Sequence, residues 1–368
     1  MITLDDVAQR AGVSRMTASN ALHGKSVVRP ATAARVLAAA KELGYQPNLA
    51  ARQLSRGRTH VIGLTLADID LIFPADLAAQ VSDLAYERGY QTLVQQTRFS
   101  SEHERTMLAS ASAQVCDGMI VCWPRIEPAE MESIASVRPV VAYDGFDVEG
   151  RIDGVFTPCE AGGEAAIRHL AAHGCRRIII LGTSFRPMDA LLGRAGGTSE
   201  ANSSATRRLL GAARALADLG LPYDESTVIP CGWGRETGHA LMSRLLDGVP
   251  QGCHPDFDGV FCLNDPIAIG ALKALTDHGV RVPQDVAVIG FDGVRDGLYT
   301  TPGLTSVRID AREVAKTCLD LLIERIEATP SRRTGARAGA RTAEAPAAIP
   351  PRTHTVGYTI VPRGSAER

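Results

Sequence analysis

Thr3-Leu4-Asp5-Asp6-Val7-Ala8-Gln9-Arg10-Ala11-Gly12-Val13-Ser14-Arg15-Met16-Thr17-Ala18-Ser19-Asn20-Ala21-Leu22 is the stretch on which the fold of this 368-residue chain turns. Leu4, Val7, Ala8 and Ala11 recur at helical spacing behind Thr3, a hydroxyl able to cap a helix, and Gly12 ends the segment. Ser14 is a second cap candidate. Beyond it Ala18, Ala21 and Leu22 form an apolar stripe, while Arg15, Met16, Ser19 and Asn20 share the opposite face. Two short helices about a glycine turn, the second presenting polar and basic groups, make a helix-turn-helix with residues 14–22 as its recognition helix. A third helix is predicted over 30–43, opening on Pro30, turning Val36, Leu37, Ala40 and Leu43 inward and stopping at Gly44.

Charge divides the chain at the same place. Residues 1–60 carry nine Lys and Arg against Asp5, Asp6 and Glu42, a net of +6, although the whole chain stands at −2. A basic head on an acidic body points to a polyanionic partner. Hydrophobic residues at 45% and charged residues at 22% exclude a disordered or fibrous chain, and the length suits two or three domains. With no membrane-length apolar run and no basic-then-apolar leader after Met1, a cytoplasmic protein without membrane contact is expected. Eight cysteines lie singly with no C-x-x-C pair, so reduced thiols are expected and a metal site is not.

The quoted stretch, followed by Leu43-Gly44-Tyr45-Gln46-Pro47-Asn48, resembles the DNA-binding head of the lactose-repressor (LacI/GalR) family of bacterial transcriptional regulators. The resemblance implies a homodimer that reads a palindromic operator in double-stranded DNA and is switched by a small molecule. It puts DNA contacts on Thr3, Ser14, Arg15, Met16, Thr17, Ser19, Asn20 and Arg29, and on Asn48, Ala51, Leu54 and Arg56 in the hinge segment 48–57. That segment is too short for a stable isolated helix, so it is expected to become helical only against DNA and its dimer mate. Leu54 matches the residue that wedges between base pairs in the minor groove. Two positions depart from the family pattern: Asn20 stands where Arg is usual, and Arg29 replaces the usual Ser before the third helix. The second exchange removes a cap worth ~1 kcal/mol and adds a cation within reach of phosphate.

From Val61 onward, strands expected at 61–66, 91–95, 117–122, 139–143, 177–182, 226–230, 258–262 and 286–290 alternate with amphipathic helices. The fold class is α/β: an all-α helix-turn-helix head joined to a two-subdomain, doubly wound parallel-sheet effector domain of the periplasmic-binding-protein kind. Ligands in such sheets sit at the carboxyl ends of the strands, here in a cleft between the subdomains. His169-Leu170 through Gly174-Cys175-Arg176-Arg177-Ile178, Phe261-Cys262-Leu263-Asn264-Asp265 and Val282-Pro283-Gln284-Asp285-Val286 resemble the same family's effector domain. Carried over by position, the implied effector contacts are Phe73, Asp144, Phe156, Arg208, Trp233, Asn264 and Asp292. Carboxylates, an amide and a guanidinium bind hydroxyls while aromatic faces cover a sugar or purine ring, and a sugar or related polyhydroxy ligand is expected. Asp265 is expected to cap the following helix, and Cys122 occupies a position where relatives place a polar contact.

The expected boundaries are 1–47 for the head, 48–59 for the hinge, 60–330 for the effector domain and 353–368 for a terminal strand returning to it near Val356–Val361. Residues 331–352 read as a disordered Arg/Ala/Pro-rich excursion, and the glycine-rich connection 184–204 as a lid or an insertion. No leucine heptad follows, which favours a dimer over a tetramer. An enzyme is the first rival, but G-x-G-x-x-G after the first strand, G-x-x-x-x-G-K-[ST] and G-x-S-x-G are all missing. No catalytic residue, metal ligand or cofactor is therefore expected. A solute-binding protein would share the body but not the basic head. Within the regulator class, a corepressor-dependent repressor with a purine-like ligand and a promoter-specific activator stay open as alternatives.

Overall fold

The computed structural model of the chain describes residues 2–22, 27–45, 58–193, 202–249, 254–329 and 349–368. They divide into a unit ending at Thr59 and a unit beginning at His60. In the first, helices α1 (Leu4–Ala11), α2 (Arg15–Leu22) and α3 (Pro30–Glu42) surround a core of small side chains: Val7, Ala8, Ala11, Ala18, Ala21, Val36, Ala39 and Ala40. Thr3 and Asp6 form a reciprocal capping box, and Gly12 closes α1 in the left-handed conformation at φ 62°. Ser14 Oγ accepts from the Thr17 amide at 3.2 Å, capping α2 as expected. Arg29 precedes α3 with no side-chain cap. The inward face of α3 differs from the prediction, because Leu37 is 53% exposed and Ala39 is buried instead. Val36, Ala39 and Ala40 lie at i, i+3 and i+4 on one stripe, and Leu37 sits about 100° round from it.

The second unit holds two six-stranded sheets. The first runs β11 (Thr353–Thr355), β5 (Asp153–Phe156), β4 (Val140–Tyr143), β3 (Gly118–Cys122), β1 (Val61–Leu66), β2 (Gln91–Gln96). The second runs β12 (Tyr358–Val361), β10 (Thr305–Ile309), β9 (Ala287–Asp292), β8 (Gly259–Cys262), β6 (Ile178–Leu181), β7 (Val228–Ile229). All pairs are parallel except β10 with β12, and the central strands are buried on both faces, as helix-covered parallel sheets require. The chain crosses to the second sheet after β5, returns in the helix Ala311–Ala328, which packs on β3, β4 and the helix Ile72–Glu87, and crosses again between β11 and β12. The single terminal strand predicted near 356–361 is thus two short strands, one on each sheet. Arg325 holds the returning segment by a bidentate pair with the buried Asp153 at 2.7 and 2.8 Å.

One contact positions the site. The helices Cys159–Ala172 and Ser204–Asp218 press together through glycine: a Cβ on Gly163 would stand 2.1 Å from the Arg208 carbonyl oxygen, and one on Gly211 1.8 Å from that of Glu160. Only glycine allows this approach, and it sets the depth at which Arg208 enters the core.

Candidate functional site

The carboxyl ends of both sheets enclose a cavity of about 360 Å³, within the range of small-molecule sites. The first half contributes Phe73, Phe99, Trp123, Asp144 and Phe146; the second contributes Ser204, Arg208, Trp233, Asn264 and Asp292. Six of the seven expected effector residues therefore come together here. Phe156 does not line the cavity: it is buried with Cys159 behind Phe146, ring centroids 5.3 Å apart, its ring folded back over Gly154. Phe146, on the short turn after β4, faces the cavity in its place and carries the Arg207 guanidinium 4.1 Å above its ring.

Arg208 is the electrostatic centre. It is buried, donates from Nη1 to the Leu263 carbonyl, lies 3.2 Å from Asp292 Oδ1 through Nη2, and places its guanidinium carbon 3.7 Å over the Phe291 ring. Its buried Nε has no hydrogen-bond partner among the described residues. Burial pushes Asp292 up to about 6 in spite of the Arg208 charge. Asp144 accepts from the Thr157 amide at 2.7 Å, the Thr157 hydroxyl at 2.9 Å and Ser204 Oγ at 3.0 Å. Burial raises its carboxyl above the ordinary value while these donors oppose the shift. Because Asp144 follows β4 and Ser204 opens a helix of the other half, their bond spans the cleft.

Asn264, not Asp265, is the helix cap: its Oδ1 accepts from the Ile267 amide at 2.9 Å, and its Nδ2 donates to the Trp233 carbonyl at 3.0 Å. That leaves it one N–H and one lone pair for a ligand. Asp265 points into the protein, accepting from Ser306 Oγ at 2.6 Å and the Val294 amide at 2.7 Å, and burial pushes it up to about 8. Cys122 is buried in the core; the next residue, Trp123, supplies the cleft wall at the end of β3.

Trp123, Phe99 and Phe146 were not anticipated from sequence. Backbone conformation marks the first two. Six described non-glycine residues have positive φ, and Phe99 (57°), Trp123 (52°), Asp144 (51°) and Asp292 (110°) all line the cavity. Such strain gathers where side chains must be aimed at a ligand. Asn202 and Ser203 at the end of the 184–204 connection also line it; residues 194–201, where a lid was considered, lie outside the described residues.

In the head, Arg15 and Met16 are the most exposed side chains of α2, Met16 at 73%, and Arg15 is held loosely by Asp5 at 3.6 Å. Ser19 and Asn20 are half-buried on the same helix. Thr3, Ser14 and Thr17 spend their hydroxyls on caps, which leaves Arg15, Met16, Asn20 and the exposed Arg29 as the groups best placed to reach outward. Asn48, Ala51, Leu54 and Arg56 lie outside the described residues.

A family model described as bacterial regulatory proteins of the lacI family matches residues 3–48, and one described as a periplasmic binding protein-like domain matches residues 167–366. The HTH-type transcriptional repressor PurR of Escherichia coli O1:K1 is 31% identical over 329 residues, 89% of this chain and 91% of the relative. This chain belongs to the LacI family. A LacI-family regulator from Sanguibacter keddieii is 33% identical in structural alignment, with TM-score 0.66 over 84% of this chain and 99% of that one. The regulator CelR in complex with cellobiose is 27% identical, with TM-score 0.65 over 99% of this chain and 100% of the other. As a LacI-family protein the chain is a transcriptional regulator, with a DNA-binding head and a ligand-binding effector domain. None of its described helices is long and apolar enough to cross a membrane.

Proposed function

We propose that this LacI-family protein is a homodimeric repressor of a palindromic operator, switched by a carbohydrate or related polyhydroxy effector in the 360 Å³ cleft. The observation that carries the effector class is the convergence of Arg208, Asp292, Asp144 and Asn264 with Phe73, Phe146, Trp123 and Trp233 around one cavity. Hydroxyls satisfy carboxylate, amide and guanidinium together, and aromatic walls cover the C–H faces of a pyranose ring. The cellobiose held by CelR, a structural relative, supports the same class. Switching follows from the bond between Asp144 and Ser204: a ligand hydroxyl that takes over either group changes the free energy of the closed cleft relative to the open one. Arg15, Met16 and Asn20 read bases, Arg29 holds phosphate, and the hinge residues Asn48, Ala51, Leu54 and Arg56 complete the grip on DNA.

Both tryptophans of the chain, Trp123 and Trp233, line the cleft, so intrinsic fluorescence reports occupancy directly. Titration with mono- and disaccharides, and with purine bases as the rival class, is expected to give a saturable change for a sugar that also shifts the operator-binding midpoint. A response confined to purines would overturn the effector class.

A further inference from the structure

Outside the cleft lining and unused by the switch, His169 and His173 lie one helical turn apart at the end of the helix Cys159–Ala172, with their ring centroids 4.3 Å apart. The carboxylate of Glu367, next to last in the chain, sits across them. One oxygen is 3.3 Å from His169 Nε2, the other 3.6 Å from His173 Nε2, and the ligand atoms all lie within 4.8 Å of one another. We propose that His169, His173 and Glu367 form a zinc(II) site that fastens the C-terminal tail to this helix.

Three features favour a metal over a bare ion pair. The first is spacing. One ligand atom from each residue lies within 4.8 Å of the others, so a small inward rotation of the side chains brings them to the separation of about 3.4 Å that ligands about 2.0–2.1 Å from a tetrahedral zinc ion take up. The second is orientation. His173 Nδ1 is 2.9 Å from the His169 carbonyl, to which it can only donate, so Nε2 is the ring nitrogen left facing Glu367. His169 Nε2 is buried, faces the same carboxylate at 3.3 Å and finds no well-aligned hydrogen-bond partner among the described residues. The third is that Glu367 is held in place on both sides. Ser365 is fully buried, donating to the Val288 carbonyl and accepting from the Thr305 amide at 2.8 Å, while Arg368 binds the carbonyls of Pro283 and Asp258. Glu367 is 43% exposed on its side chain, which leaves an entry path and room for a water as fourth ligand.

Two imidazoles and a carboxylate suit zinc, cobalt(II) and nickel(II) rather than magnesium or calcium. The test is equilibrium dialysis of the full chain, free of any tag, against zinc(II), with cobalt(II) as a spectroscopic probe. One zinc per chain is expected, with at least tenfold weaker binding in His173→Ala and in Glu367→Gln and unchanged binding in Cys231→Ser. Cobalt should give visible d–d bands without thiolate charge transfer. Both substituted side chains are partly exposed, and circular dichroism of the metal-free variants checks that they fold. Stoichiometry well below one, binding insensitive to both substitutions, or a thiolate band would overturn the proposal and reduce the cluster to an imidazole–carboxylate pair.

Discussion

Truncating Arg208 to alanine tests the electrostatic reading of the cleft. The change removes a buried cation from Asp292 at 3.2 Å, from the Leu263 carbonyl and from the Phe291 face at 3.7 Å. Breaking a buried pair by removing one partner costs about 3–5 kcal/mol, because the surviving charge is uncompensated. That penalty has a ceiling. Asp292 already stands at about 6, and without the guanidinium burial drives it higher, so near neutral pH the carboxyl takes up a proton instead of staying charged. A carboxyl whose folded value lies above its unfolded value of 3.8 binds protons more tightly in the native state, so stability is gained as pH falls and lost as pH rises through the folded value. Arg208→Ala should therefore be destabilised by about 3 kcal/mol or more at pH 8 and by clearly less at pH 5. Adding Asp292→Asn removes the stranded charge, and the double variant should recover at least about 1 kcal/mol at pH 8 and little at pH 5. Urea unfolding at fixed protein concentration, followed by far-ultraviolet circular dichroism, measures all three proteins. A pH-independent loss, or a double variant no more stable than Arg208→Ala at pH 8, would refute the reasoning.

Gly211→Ala must push a methyl against backbone 1.8 Å away, so it should lower thermal stability by about 1–3 kcal/mol or more, whereas Gly357→Ala, with nothing among the described residues within 4 Å of the added carbon, should be near neutral. Glu104 accepts from the Arg125 and Ile126 amides at 2.6 and 3.2 Å, yet burial pushes it up from 4.5 to about 7. Its ionisation should cost the wild type up to about 3 kcal/mol between acid and alkaline pH, and Glu104→Gln should flatten that slope; Asp265, at about 8, acts in the same sense and preserves the remainder. In binding assays across operator variants and salt concentrations, Arg15→Ala should relax discrimination at one base position by about 1–3 kcal/mol. Arg29→Ala should weaken all sequences alike and lower the salt slope by about one; equal effects on specific and nonspecific DNA from Arg15→Ala would remove it from base recognition.

Much of the architecture is legible along the chain because the interactions that define it are local. The cap at Thr3, the stop at Gly12 and the stripe Ala18 and Ala21 depend on groups three or four residues apart, and alternating apolar runs separated by amphipathic helices admit few arrangements besides parallel α/β halves. Six of the seven expected cleft residues were legible too, through the positions implied by the resemblance to the family's effector domain. Tertiary structure decided the rest. Whether Phe146 or Phe156 faces the cavity depends on how the turn after β4 packs across β5. Trp123 enters the wall because its backbone is held at φ 52°, a conformation that no propensity assigns to tryptophan. The cap expected of Asp265 falls to Asn264, which keeps its place in the cleft, because Asp265 meets Ser306 and Val294, residues remote in sequence that only sheet assembly brings near. The terminal strand splits because its two halves find edges on different sheets. His169 and His173 show a readable i, i+4 spacing, but their third partner is the carboxylate of Glu367, nearly two hundred residues away. Periodicity and capping are written in neighbours; which groups meet across a fold is set by packing that closes long loops, and no local pattern encodes it.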